Sequence, residues 1–257
     1  MPNEYFDPGE ERTSKVHALF ERIASRYDLM NDLQSFGLHR RWKRHLLKSA
    51  RPQPGQHALD ICCGTGDLTL AFARYGLLAV GLDFSESMLR VAAQRKDLAA
   101  PAETSVTGKN GGFRAEGQAG SLSYIRGDAQ CIPMRDACFE IVTVGYGLRN
   151  LASWETGLSE MCRVVAPGGR LLVLDFGKPA NPLWRFLYFS YLWLFVPLLG
   201  LIFCGSASAY AYILESLQHY PAQRGVAAKM RDLGLVNVQL INLLGGAMSI
   251  NYAEKQK

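Results

Sequence analysis

Apolar residues along the chain cluster in short runs, and between the runs they recur at helical spacing. Ala58 leads into Leu59-Asp60-Ile61, and Leu78-Ala79-Val80-Gly81-Leu82-Asp83 forms a second run. Leu122 to Arg126, Cys138 to Gly145 and Arg170 to Phe176 follow. Each has the length of a buried strand bounded by turn residues. The intervening stretches Leu68 to Tyr75, Ser85 to Asp97 and Trp154 to Val165 read as helices. Strands alternating with helices predict an α/β fold: a doubly wound, mostly parallel sheet covered on both faces. Val236 to Leu243 and Met248 to Ala253 flank Gly245-Gly246 and predict a closing antiparallel hairpin.

The rest of the chain does not read as strand. Residues 1–13 show no helical pattern and are expected to be disordered. Val16, Leu19, Phe20, Ile23 and Tyr27 then repeat at helical spacing. A second amphipathic helix follows a turn at Gly37, so residues 14–51 form a helical cap. Six Lys/Arg lie between Arg40 and Arg51, with Trp42 among them. A solvated face and an interfacial helix both fit that pattern. Residues 99–121, rich in Gly, Ala, Ser, Thr and Gln, read as a mobile loop. Phe186 to Cys204 is nineteen residues without a charge, long enough to span a membrane by count alone. Pro197 and Gly200 are expected to interrupt it, and its place before the final hairpin would split one sheet. An apolar cap over a site, within residues 183–218, fits better.

Chemistry enters at the first strand-to-helix turn, Asp60 to Asp67. Gly64 and Gly66 let the backbone turn sharply and come close to a ligand. The helix start then presents unpaired N–H groups. Counting from Gly64, the third glycine of a dinucleotide fingerprint would fall at Thr69, and no Gly-Lys-Ser/Thr follows. What remains is D-x-x-x-G-x-G, Asp60 to Gly66. It resembles the first motif of class I S-adenosylmethionine methyltransferases. Asp83 ends the next strand, where a carboxylate can accept both ribose hydroxyls; it could instead cap the helix that follows.

Composition narrows the class only a little. The chain has 257 residues, 48% hydrophobic and 20% charged, with a formal net charge of +5. That suits one full α/β domain, with a basic excess compatible with an anionic membrane or with nucleic acid. The six cysteines form no C-x-x-C and no zinc spacing, which points to a reducing cytosol and no metal.

Several longer runs carry a closer resemblance. They are Tyr27-Asp28-Leu29-Met30-Asn31-Asp32, Gly37-Leu38-His39-Arg40-Arg41-Trp42-Lys43, Gly127-Asp128-Ala129 and Gly147-Leu148-Arg149-Asn150. Arg163 to Gly169 and Tyr212-Ile213-Leu214-Glu215-Ser216 extend them. From Val16 to Lys255 the chain resembles the ubiquinone/menaquinone biosynthesis C-methyltransferase family. The resemblance implies a single class I, Rossmann-like methyltransferase domain over residues 14–257, with S-adenosylmethionine as methyl donor. It implies cofactor contacts at Thr65, Asp83, Asp128 and Ala129, to which Asp60, Gly64, Gly66 and Gly145 are added as candidates.

The implied reaction is C-methylation of a prenylated quinol, demethylmenaquinol to menaquinol being the first expectation. A benzoquinol of the ubiquinone pathway, or another lipid, is the alternative. Gly145-Tyr146 replaces the usual small residue and Phe, and Asp175 stands where the family has Glu. Together with Asp83-Phe84-Ser85, Gly145-Tyr146 leans toward the naphthoquinone branch. Arg149 can stabilise a developing phenolate and Asn150 can orient the hydroxyl, while His39, Tyr27 and Asp28 are candidate bases. The structural alternatives are Arg149 pairing an acid, Asn150 capping a helix and His39 on a solvated face. Peripheral contact with the cytoplasmic face of a membrane, through Arg40 to Arg51 and the aromatic cap, is expected. Homo-oligomerisation is possible. An RNA-binding protein and a nicotinamide-dependent dehydrogenase rank below these readings, and nucleic acid is not expected as a partner.

Overall fold

A computed structural model describes Tyr5, residues 11–99 and residues 120–257. The expected mobile loop falls mostly outside the described residues, as does most of the N-terminal segment. Where that segment is described, it is ordered: Tyr5 is buried and its hydroxyl accepts from Arg22 at 2.9 Å. The first helix, α1, runs Arg12–Ile23, so the helical cap starts earlier than its apolar spacing suggested.

A turn of 3-10 helix joins α1 to α2, Tyr27–Ser35, and a left-handed pair, Phe36 and Gly37, leads into α3, Leu38–Ala50. The α/β core then unfolds as β1 (His57–Ile61), α4 (Asp67–Arg74), β2 (Leu78–Asp83), α5 (Glu86–Ala99) and β3 (Leu122–Arg126). It continues through β4 (Phe139–Gly145), α6 (Trp154–Val164) and β5 (Val165–Phe176). The apolar region folds as α7 (Pro182–Ser190), a π-helical turn and α8 (Val196–Cys204). After α9 (Ala207–His219) and α10 (Ala222–Asp232), β6 (Val236–Leu243) and β7 (Met248–Glu254) close the chain.

Among the described residues these strands make one seven-stranded sheet, in the order β3-β2-β1-β4-β5-β7-β6. All neighbours are parallel except β5–β7 and β6–β7, the expected closing hairpin. Strand alternation divides the core. Leu59, Ile61, Val142, Val144 and Leu171 face one layer, while Ala58, Ile141, Leu172 and Leu174 face the other. The chain leaves β1 toward one edge and returns through β4 to the other side. This is the topological switch point at which open parallel sheets bind ligands.

Two expectations are corrected. The run Pro167-Gly168-Gly169 does not precede β5 as a separate turn. Val165 already pairs with Phe139, and the register then slips before Arg170 pairs with Ile141, so the run is a bulge inside the strand. Pro197 and Gly200 do not end the apolar helix. Pro197 sits at the start of α8, directly after the π-helical turn Tyr191–Phe195, where an irregular ladder tolerates a missing N–H. At Gly200 a Cβ would overlap the ring of Tyr210, so the glycine lets α9 pack closely on α8.

Candidate active site

The loops that follow β1, β2, β3 and β4 converge at the carboxyl end of the sheet, and α1 lies across them. They enclose a crevice of about 120 Å³. Gly64, Asp83, Asp128, Ala129 and Gly145 line it, as does Asn150. Leu82, Phe84 and Met88 supply an apolar wall, and Val16 and Phe20 of α1 supply the roof.

Asp83 is 5% exposed. One oxygen accepts from the Gly64 N–H at 2.8 Å and the other from the Ser85 N–H at 2.9 Å. The acid therefore fixes the glycine loop against the start of α5 while still facing the crevice. Burial raises its pKa, against the hydrogen bonds that favour the charged form. Asp128 is exposed at the crevice and accepts from the Gln130 N–H at 2.8 Å.

Other expected cofactor residues lie behind the loop. Asp60, Thr65 and Gly66 do not line the crevice. Asp60 is buried and accepts from the Thr69 N–H and hydroxyl at 3.1 and 2.8 Å, and from the Thr143 hydroxyl at 3.1 Å. It satisfies the Thr69 N–H in the first turn of α4 and ties that helix to β4. Burial lifts its carboxyl to about 6. Thr65 donates to Asp28 at 3.0 Å and accepts from Arg95 at 3.1 Å. Gly66 has φ +81, and a Cβ there would overlap the Tyr124 hydroxyl, so the position admits glycine alone.

A second, larger cavity of about 350 Å³ lies beside the crevice. Its walls come from α1–α3 and from α7 to α9, with Phe176 and Met248 from the sheet. Phe20, Tyr27 and Tyr146 border both spaces and form the partition between them. The larger cavity is lined mainly by Leu, Ile, Phe, Trp and Tyr side chains. Buried polar atoms without a hydrogen-bond partner interrupt it: Tyr146 Oη, Arg149 Nε and Gln34 Oε1. Such atoms are costly to bury unless something bonds them.

Arg149 belongs to this cavity. Its Nη1 pairs with Asp175 at 2.8 Å and donates to the Tyr146 carbonyl at 2.6 Å, and its guanidinium lies 4.5 Å over the Phe176 ring. Asp175 also accepts from the Arg149 backbone N–H at 3.2 Å. Asn150, its neighbour in a 3-10 turn, faces the crevice instead. It donates to the Tyr146 carbonyl at 3.1 Å, and its Oδ1 is buried without a partner. Arg149 and Asn150 thus grip one carbonyl from two sides, holding Tyr146 at a left-handed φ of 65°.

The candidate bases separate. His39 lines the larger cavity and is 4% exposed, with Nδ1 against the Ser35 hydroxyl at 3.0 Å. Burial, assisted by Lys43, lowers its pKa, so the ring is neutral at pH 7. Tyr27 is pushed up to about 12 by burial and keeps its proton. Asp28 is held by Arg95 and Thr65 and lines neither space.

Sequence reading missed Phe20 and Gln34 as site residues, and noted Tyr146 and Asp175 only as departures from the family. Tyr146 and Asp175 could have been found by the rule that marked Asp83, since both lie at strand carboxyl ends beside the switch point.

The family profile described as the ubiE/COQ5 methyltransferase family matches residues 9–255. The chain belongs to this family. It is 36% identical over 252 residues to the ubiquinone/menaquinone biosynthesis C-methyltransferase UbiE of Francisella tularensis subsp. novicida, covering 96% of this chain and 94% of that one. Against UbiE of Ectopseudomonas mendocina it is 38% identical over 248 residues, covering 95% and 90%. Among solved structures, a SAM-dependent methyltransferase of Thermotoga maritima superposes with TM-score 0.61 at 16% identity, covering 94% of this chain and 100% of that one. Phosphoethanolamine N-methyltransferase 2 of Haemonchus contortus, in complex with S-adenosyl-L-methionine, gives TM-score 0.58 at 16% identity, covering 84% and 53%. At that identity the last two show the fold alone. The enzyme is an S-adenosylmethionine-dependent C-methyltransferase of quinone biosynthesis.

The smaller crevice suits the methyl donor. The Asp83 carboxylate faces it, Leu82, Phe84 and Met88 give it an apolar wall, and Asn150 Oδ1 is a buried acceptor without a partner, a donor set that fits a polar group joined to an apolar ring.

Proposed function

We propose that the enzyme methylates a ring carbon of a prenylated quinol, and that its preferred substrate is the naphthoquinol demethylmenaquinol. The observation that carries this reading is the partition. A crevice with carboxylates suited to the methyl donor and an apolar cavity meet at Phe20, Tyr27 and Tyr146. A bicyclic ring is flat and apolar with one or two hydroxyls, which matches a cavity whose apolar wall carries a few unbonded polar atoms.

Bound S-adenosylmethionine supplies an electrophilic methyl group. Asp83, Asp128, Ala129, Gly64, Gly145 and Asn150 would hold it in the crevice. The chain's own residues do the rest. Arg149, fixed by Asp175, stabilises the phenolate as the ring hydroxyl loses its proton. Neutral His39 accepts that proton. Tyr27, with its raised pKa, stays protonated and donates to ring oxygens. Aromatic walls exclude water while opposite charges meet and cancel.

A substrate with an isoprenoid tail resides in a bilayer, and we propose that the enzyme docks on the membrane face where it is made. Leu183, Phe186, Trp193, Leu194 and Ile202 on α7–α8 are exposed, and 22% of this helix's most apolar window is buried. Exposed Arg40, Arg41, Arg44 and Lys48 lie on α3, beyond Phe36, whose ring contacts Tyr191 at 6.3 Å. Basic residues beside an apolar face favour anionic lipid.

The test is methyl transfer from labelled donor to demethylmenaquinol and to the corresponding benzoquinol, both with short tails. Preference for the naphthoquinol supports the reading; equal turnover or preference for the benzoquinol removes the assignment of ring type.

A further inference from the structure

A third space lies on the outside of the apolar helix. It is a groove of about 370 Å³ between the end of α2 and the π-helical turn with α8, walled by Asp32 and Leu33 and floored by Phe195, Leu198, Leu199 and Ile202. Phe36 and Tyr191 line both this groove and the large inner cavity, so the two spaces abut at that ring pair. The pair is built rather than incidental. Tyr191 opens the π-helical turn, stacks on Phe195 at 5.9 Å and donates its hydroxyl to the Gln34 carbonyl at 2.8 Å. Phe36 sits at a left-handed φ of 49° and is 80% exposed, an uncommon place for a bulky aromatic residue. π-helical turns inside α-helices occur often at functional sites.

We propose that this groove is the binding site for the isoprenoid tail of the substrate. In this arrangement the ring occupies the inner cavity, the chain passes between Phe36 and Tyr191, and the first isoprene units lie along Phe195, Leu198 and Ile202. The proposal rests on the prenylated-quinol reading above. Continuity decides the occupant. A ligand seated in the inner cavity has its apolar exit here, and an unbranched lipid acyl chain lying in the groove has no group to place beyond the ring pair. Tail length then contributes to recognition, since each buried methylene adds about 0.8 kcal/mol.

The test is Leu198→Trp, with Ile202→Trp as a second variant. Both positions are exposed, so a larger side chain fills the groove without entering the core and keeps the surface apolar. Each protein is assayed in detergent micelles with a quinol bearing one isoprene unit and with one bearing several. The expected result is a fall of about tenfold in kcat/KM for the long-tail quinol, the equivalent of roughly two displaced methylenes, with the short-tail value within about twofold of the parent. Equal losses for both quinols, or no loss for either, overturn the groove assignment while the parent's short-tail activity leaves the methylation reading standing. Reduced flotation with anionic vesicles and unchanged tail discrimination would mark the groove as a lipid contact, and also overturns it. A parent inactive on both quinols removes the functional reading and the groove with it.

Discussion

Removing the charge that holds Arg149 should cost more stability than its single ion-pair distance suggests. The two side chains are 6% and 3% exposed, so both charges are out of water. Asp175 accepts from Arg149 Nη1 at 2.8 Å, from the Phe176 N–H at 2.8 Å and from the Arg149 N–H at 3.2 Å. In Asp175→Asn one oxygen still accepts, but an NH₂ group meets an N–H donor and the guanidinium loses its counter-charge. Breaking a buried pair from one side costs about 3–5 kcal/mol. The surviving bond to the Tyr146 carbonyl and the Phe176 ring offset part of this, so a loss of about 3 kcal/mol is expected. Urea unfolding at pH 7 measures it. The double variant Arg149→Met/Asp175→Asn should be less damaged than the sum of the singles, because the stranded charge is gone. Additive losses, or an Asp175→Asn cost below about 1 kcal/mol, would show that the pair does not support Arg149 as argued.

Further outcomes follow from the same geometry. Asp83→Ala should weaken S-adenosylmethionine binding by roughly 1.5–3 kcal/mol, measured by calorimetry; unchanged affinity would take the carboxylate off the ribose. Tyr146→Phe keeps the ring contact with Phe176 at 6.0 Å but deletes an unpartnered hydroxyl. It should lower kcat about tenfold or more with donor binding unchanged, and an unaltered kcat would remove the hydroxyl from the reaction. Asp60 holds its proton more tightly folded than unfolded, with a folded pKa of about 6. Its contribution to stability is therefore greatest below about pH 4 and is lost as pH rises through the folded pKa. Relative to Asp60→Asn, the parent should lose about 2 kcal/mol between pH 4 and pH 7, and a difference that stays flat in urea melts refutes the burial argument.

What the sequence revealed and what it hid divide along a physical line. β2 was legible to the residue, since a buried strand is a continuous apolar run bounded by turns, and β3, a half-exposed edge strand, was legible from its place in the strand–helix alternation. Asp83 could be placed by topology alone, because an acid at the end of β2 must reach the switch point. Asp60 obeys the same spacing rule, but its carboxylate turns inward onto Thr69 in the first turn of α4, and no one-dimensional pattern records which way a side chain turns. Arg149 and Asn150 show the same limit more sharply. Neighbours in a 3-10 turn point about 120° apart, so adjacent residues serve different cavities. The partition was harder still, since Phe20, Tyr27 and Tyr146 come from α1, α2 and the turn after β4. Periodicity explains Phe20 as core packing, and only the folded chain shows that it also borders both cavities. In this fold the sheet supplies a crevice that local motifs can announce. The apolar cavity is assembled from the helical additions, whose apolar residues carry no motif, so its walls are written in contacts between distant segments such as Phe36 and Tyr191.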